Sequence, residues 1–275
     1  MVNSTIILYG LFAGLVAILV TVAIEKFGGL IGGVLGTIPS TIIPAAAGVY
    51  AIDGEETLVA SMSVVPLGML INGMFLGVWI ILPKYINNDS YKLPLTTVIS
   101  LCIWGVLALI SLIVARRVTD GLVSEFILGF AGLIALAALA ILFNLKGASA
   151  PKGVNKVPLF VLSVRGIAAG LAIAACLILA EIGLPFVAGL ASAFPAIFLT
   201  SMVALWISQG PQVPQGAAAP MMLGGASVSV YALLAMWSLP SLGVIFGSLV
   251  AWFGAVGLWT IPAFLLLRKY RLTID

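Results

Sequence analysis

The sequence predicts an all-α integral membrane protein of about nine transmembrane helices, built as an inverted 4+1+4 repeat. Three observations carry this. The 275 residues are 63% hydrophobic and only 8% charged, whereas a soluble domain carries about 25% charged residues and needs them to face water. The apolar residues fall into nine runs, each near the roughly 20 residues that a helix needs to cross a bilayer. The runs also repeat. The stretch EKFGGLIGGVLGTIPSTIIPAAAGVYAIDG at 25–54 superposes without a gap on EIGLPFVAGLASAFPAIFLTSMVALWISQG at 181–210, an offset of 156 residues.

That offset places Glu25 on Glu181, Gly33 on Gly189, Pro39 on Pro195 and Gly54 on Gly210. Extended backwards, it places Gly10 and Gly14 on Gly166 and Gly170. Matched Gly and Ala residues arise easily in so apolar a chain. A matched Glu does not, because the chain holds only nine acidic residues. The pattern reads as an internal duplication.

In order, the first run covers about 6–24 and the second about 28–52, the latter interrupted by Pro39 and Pro44. The third, 57–83, contains Pro66 and Asn72, and the fourth, 94–115, stops at Arg116-Arg117. The fifth is 121–145. A polar linker follows at 146–156, with Gly, Pro and Lys, and it is the clearest boundary in the chain. The sixth and seventh runs are 157–180 and 184–208, separated from the eighth, 217–239, by the turn segment QGPQVPQG. The ninth, 241–267, ends in Arg268-Lys269-Tyr270-Arg271. The expected division is 1–118 for one four-helix repeat, 119–156 for a linking helix and linker, and 157–275 for the second repeat.

Spans one to four match spans six to nine, with one unmatched span between. An odd number of spans from copy to copy reverses the second copy in the membrane. Secondary transporters are often built so, with substrate held at the midplane between the repeats. Should the fifth run not cross, the copies become parallel and the inference fails. With nine spans, one side collects Lys26, Lys84, Lys92, Lys146, Lys152, Lys156, Arg268, Lys269 and Arg271. The other collects Arg116, Arg117 and the acidic segment 53–56. The basic side is expected to be cytoplasmic, with the N-terminus outside, the C-terminus inside and the chain in the inner or plasma membrane.

The composition also excludes chemistry. There is no histidine, which removes the commonest metal ligand and general base. Cys102 and Cys176 stand alone inside apolar runs, so packing is their expected role. No Walker, metal-cluster or nucleophile-elbow pattern is present, so neither an enzyme nor a cofactor is expected. A pI near 9.0 on a mean hydropathy of +1.28 speaks of membrane orientation and not of nucleic acid. The expected partners are the bilayer, a small solute or ion, and a second copy of the chain.

Candidate site residues gather on the repeated stretch. Glu25 and Glu181 close the first helix of each repeat. A carboxylate at membrane depth is costly and marks a functional position by default. The competing reading is a solvated Glu at a helix end, paired at Glu25 with Lys26. Pro39 and Pro195 lack an N–H and break the helical ladder near mid-membrane. The carbonyls they free need a neighbouring helix, water or a substrate. Thr37 and Ser40 flank the first break; Thr200 and Ser201 follow the second. Those hydroxyls either bind a polar solute or bond back to their own helix. The glycines before each proline have close helix packing as their simplest role. Arg165 is the one base well inside a predicted span. It either snorkels to the cytoplasmic face or meets an anionic partner. Asn72 can bond across helices or line a path, and Glu125 is expected to pair with Arg116 or Arg117 at the interface.

The stretch 25–56, with its Glu-x-x-Gly-Gly start, its glycine- and proline-containing turn and its apolar run into an acidic-Gly segment, resembles a set of bacterial polytopic membrane proteins. The small GlpM-like (DUF3147-like) proteins are similar over one repeat of about thirty residues. The resemblance implies a polytopic membrane protein, with transport as the expected activity, and names no substrate. Taken together, the readings are a secondary transporter or exchanger of a small polar solute or ion, a channel of the same architecture, or a non-transporting membrane scaffold.

Overall fold

A computed structural model of the chain describes residues 4–27, 38–119, 121–146 and 158–271. Every regular element among them is helical. In chain order these are α1 (Ser4–Phe27), α2 (Ile42–Ile81, followed by a short 3-10 turn Leu82–Lys84), α3 (Asp89–Val118), α4 (Leu122–Lys146), α5 (Leu159–Glu181), α6 (Pro185–Ser192), α7 (Ala196–Gln209), α8 (Gln212–Ala255, continued by a π turn Val256–Thr260) and α9 (Ile261–Arg271). Six helical stretches among the described residues are long and apolar enough to cross a membrane, and α1 holds a shorter apolar stretch, Ser4–Leu19.

Two of those six stretches are too long to lie straight. The stretch Ile42–Lys84 has 43 residues and Gln212–Lys269 has 58. At 1.5 Å per residue they would measure about 64 and 87 Å, against a hydrocarbon core of roughly 30 Å. Each is bent at a glycine. Gly54 has φ 76° and ψ −157°, and Gly243 has φ 77° and ψ 170°. This combination is open almost only to glycine, because a Cβ would collide with the backbone. Gly210, which caps α7, has φ 81° and ψ 172°. Gly54 and its sequence match Gly210 therefore adopt the same conformation at the end of the same segment. At α3 the start is set by Asn88, whose Oδ1 accepts from the Ser90 amide at 3.0 Å.

Helix α1 packs on α5 through glycine. A Cβ on Gly14 would stand 2.8 Å from the Gly166 carbonyl oxygen, and one on Gly10 3.2 Å from that of Gly170. Reciprocally, a Cβ on Gly166 would stand 3.2 Å from the Gly14 oxygen, and one on Gly170 2.9 Å from that of Gly10. Residue 10 faces 170 and residue 14 faces 166, so the helices run antiparallel. Small residues matter here because, between lipid-like surfaces, association rests on close backbone packing. Deeper in, α2, α5 and α8 share one apolar core that includes Met69, Leu177 and Tyr231. Helix α4 lies on α2 where Gly129 and Gly132 meet the Ser63 carbonyl and the Pro66–Leu67 backbone. It is tied to α8 by Asn144, whose Nδ2 donates to the Ala219 carbonyl at 2.8 Å.

Candidate functional site

The second proline break is fully described. Helix α6 ends at Ser192, and Pro195, with φ −76° and ψ 35°, precedes the first turn of α7. Proline offers no N–H, and the chain between the two helices leaves the helical ladder. Helix α6 can lie directly on α2 because Gly189 has no side chain: a Cβ there would collide with the Ser61 carbonyl and stand 2.6 Å from Val64 Cγ2.

The carbonyl exposed by the break is captured by a side chain. Asn72 Nδ2, from α2, donates to the Ala193 oxygen at 2.8 Å. Asn72 Oδ1 in turn accepts from Trp104 Nε1 of α3, also at 2.8 Å. The Trp104 ring meets Phe194 edge-on, with centroids 5.2 Å apart. Asn72 is 2% exposed, so this amide links three segments from a buried position. Of the two roles the sequence allows for Asn72, bonding across helices is the one observed.

Beyond the break stands Arg165 of α5. It is 7% exposed, and its Nη2 donates to Ser201 Oγ at 2.9 Å. Ser201 Oγ donates onward to the Ile197 carbonyl at 2.6 Å, so its proton is committed to its own helix and its lone pair faces the guanidinium. The guanidinium is thus held between helices instead of snorkelling to a face. Thr200 Oγ1 donates to the carbonyls of Ala196 at 2.8 Å and Ile197 at 3.2 Å, the back-bonded alternative.

The remaining candidates stand apart. Glu181 is the last residue of α5 and is exposed, as an interfacial group would be. Glu25 lies in the last turn of α1, and its side chain is outside the described residues, as is all of Thr37. Pro39 is buried and Ser40 half-buried in a non-helical link that enters α2 at Ile42. Glu125 forms no ion pair with Arg116 or Arg117 among the described residues, where the pair within 4 Å is Lys92 with Asp89 at 2.6 Å. No group of three or more His, Cys, Asp or Glu able to hold a metal occurs among the described residues. Trp104 escaped sequence reasoning. The available signal was a mid-span indole, whose N–H usually finds a hydrogen-bond partner when shielded from water.

These features define a class, an α-helical protein of the membrane. No protein-family model matches the chain, and neither the curated proteins nor the solved structures contain a significant match. The likeness to GlpM-like proteins therefore rests on its motif residues alone.

Proposed function

We propose that the chain is a secondary transporter or exchanger of a small polar solute or ion, with the path running between two inverted repeats beside the proline-broken helices. The observation that carries this is Arg165, a buried cation bonded to Ser201 just past a helix break. Ionisable groups at membrane depth are expensive and mark substrate or ion pathways. The N-terminal end of a half-helix adds positive potential at such a break. That chemistry suits an anionic group on the solute.

The repeat reading is supported by the α1–α5 crossing. Exchanging matched residues turns the Gly10–Gly170 contact into Gly166–Gly14, which is the other observed contact. An antiparallel, two-fold relation would map the set onto itself. Met69 and Gly225, which match each other at the same offset, also meet: a Cβ on Gly225 would stand 3.1 Å from Met69 Cε. Division of the two over-long stretches at Gly54 and Gly243 supports a count of nine spans. In this arrangement Glu25 and Glu181 guard opposite mouths.

A scaffold without transport is the second reading, favoured by the back-bonded Thr200 and the exposed Glu181. Recording from proteoliposomes on a supported membrane, across a panel of small anions, cations and neutral solutes with and without a pH gradient, separates the readings. Saturable uptake of at least one solute, abolished by Arg165→Met in protein that still elutes as one species, is expected. Unsaturable, voltage-driven current indicates a channel; no flux of any solute through inserted wild-type protein rejects transport. For topology, single cysteines replacing Glu55 and Ala150, on a background lacking Cys102 and Cys176, should label from opposite sides. Labelling from one side breaks the inverted repeat.

A further inference from the structure

An open groove of about 380 Å³ lies away from the proline breaks, between α2, α3 and α4. Its walls are almost wholly carbon and include Gly77, Val78 and Ile81 of α2, Ile103 of α3, and Leu139 and Phe143 of α4. Gly77 sits in the wall; a Cβ there would come within 3.2 Å of Phe143 Cζ. At one end the groove reaches Leu82 and Tyr85 in the turn after α2. Tyr85 is 77% exposed, the posture of an aromatic at a membrane–water interface.

We infer that this groove holds one acyl chain of an anionic phospholipid, with the headgroup on Lys84. Length, polarity and charge agree. From Met74 to Tyr85 the groove follows about 16 Å of chain at 1.5 Å per residue, close to one leaflet of a roughly 30 Å core. The charge sits at the mouth only. Lys84 is exposed between the lining residues Leu82 and Tyr85, and α4 ends at Lys146, one turn past Phe143. Lys92 is already paired with Asp89, which leaves Lys84 as the described cation at the mouth. The groove depends on α4, the helix with no counterpart in the repeat, so it has no second copy. At the position matching Ile103 stands Trp259, whose indole donates to the Leu223 carbonyl at 2.7 Å.

Native mass spectrometry of the full chain, after titration with phosphatidylglycerol or phosphatidylcholine, tests this. Wild-type protein should retain one phosphatidylglycerol, preferred over phosphatidylcholine by about fivefold for the single lysine. Val78→Trp and Ile99→Trp, which fill the groove, should lose the retained lipid. Lys84→Gln, an exposed change that spares the fold, should keep the lipid but bring the preference to near unity. Equal retention of the two lipids by the wild type overturns the assignment. So does unchanged preference in Lys84→Gln, or a wild-type dimer that the filled variants convert to monomer, which would make a second copy the occupant.

Discussion

Aligned at the offset of 156 residues, the two halves of the sequence match at glycines but not at the polar side chains of the break. At the second break, Asn72 caps the Ala193 carbonyl and Arg165 holds Ser201. At the positions that match Asn72, Arg165 and Ser201 in the other half stand Val228, Tyr9 and Ala45. None of these can repeat the same bonds, since none offers an amide, a guanidinium or an aliphatic hydroxyl. The glycines, by contrast, match at Gly10 and Gly166, Gly14 and Gly170, and Gly54 and Gly210. Close backbone approach and positive-φ turns admit few residue types, so substitution at these glycines is restricted. A helix break can be satisfied in several ways, so its side chains are free to differ between the halves.

The largest effects should fall on the shared part. Gly14→Leu and Gly170→Leu each drive a side chain into a facing backbone. Overpacking costs about 1–3 kcal/mol and more where backbone must move. Both should lower the thermal midpoint in detergent by similar amounts, because their Cβ atoms would stand 2.8 and 2.9 Å from the facing carbonyl oxygens. Gly189→Leu should be worse, since even its Cβ collides with the Ser61 carbonyl. Gly105→Leu, where a Cβ meets nothing within 4 Å, should stay within about 0.5 kcal/mol. Unequal losses at Gly14 and Gly170 would break the symmetry of the comparison.

A smaller, one-sided effect is expected at the break. Asn72→Val gives that position its counterpart's residue and strands the buried Ala193 carbonyl and the half-buried Trp104 indole N–H. Stranding a buried partner costs about 1–3 kcal/mol, so a net loss near 2 kcal/mol is expected, with a shifted tryptophan emission. Val228→Ala, at a half-buried position, should cost about 1 kcal/mol or less. Equal losses at the two sites would mean that Asn72 acts by volume and not by its hydrogen bonds.

How much of this was legible follows from the same division. The helical membrane class was legible because 8% charge leaves no other solvent for the surface. Glycine matches exposed the turns at Gly54 and Gly210, since few residues tolerate that backbone. Two helices reach past the apolar runs that begin at residues 94 and 217: α3 starts at Asp89 and α8 at Gln212. Polar residues in a first helical turn carry no hydropathy signal; at α3 the Asn88 cap supports them, while α8 starts after Pro211 with no side-chain cap. Arg165 was legible as an exception but not as a partner of Ser201, a contact across 36 residues that no local spacing encodes. The triad of Trp104, Asn72 and Ala193 was hidden for the same reason, with Asn72 and Ala193 separated by 121 residues.

The smallest effect on stability, and the sharpest on function, concerns the matched carboxylates. Glu181 is exposed at the end of α5, and it matches Glu25 in the last turn of α1. Glu→Gln keeps shape and removes charge, and a surface change of this kind stays within about 0.5 kcal/mol. Thermal midpoints of Glu25→Gln and Glu181→Gln should therefore equal the wild type. Transport should not. In the proposed inverted arrangement each Glu would stand at one mouth, where a carboxylate can bind a cation or pass a proton. The chain has no histidine to take that role. Uptake into proteoliposomes under an imposed pH gradient, with whichever solute the panel identifies, should slow in both variants. Slowing in Glu25→Gln alone would show that the halves diverge at their mouths as they do at their breaks. Wild-type rates in both would return the pair to the role of solvated helix ends.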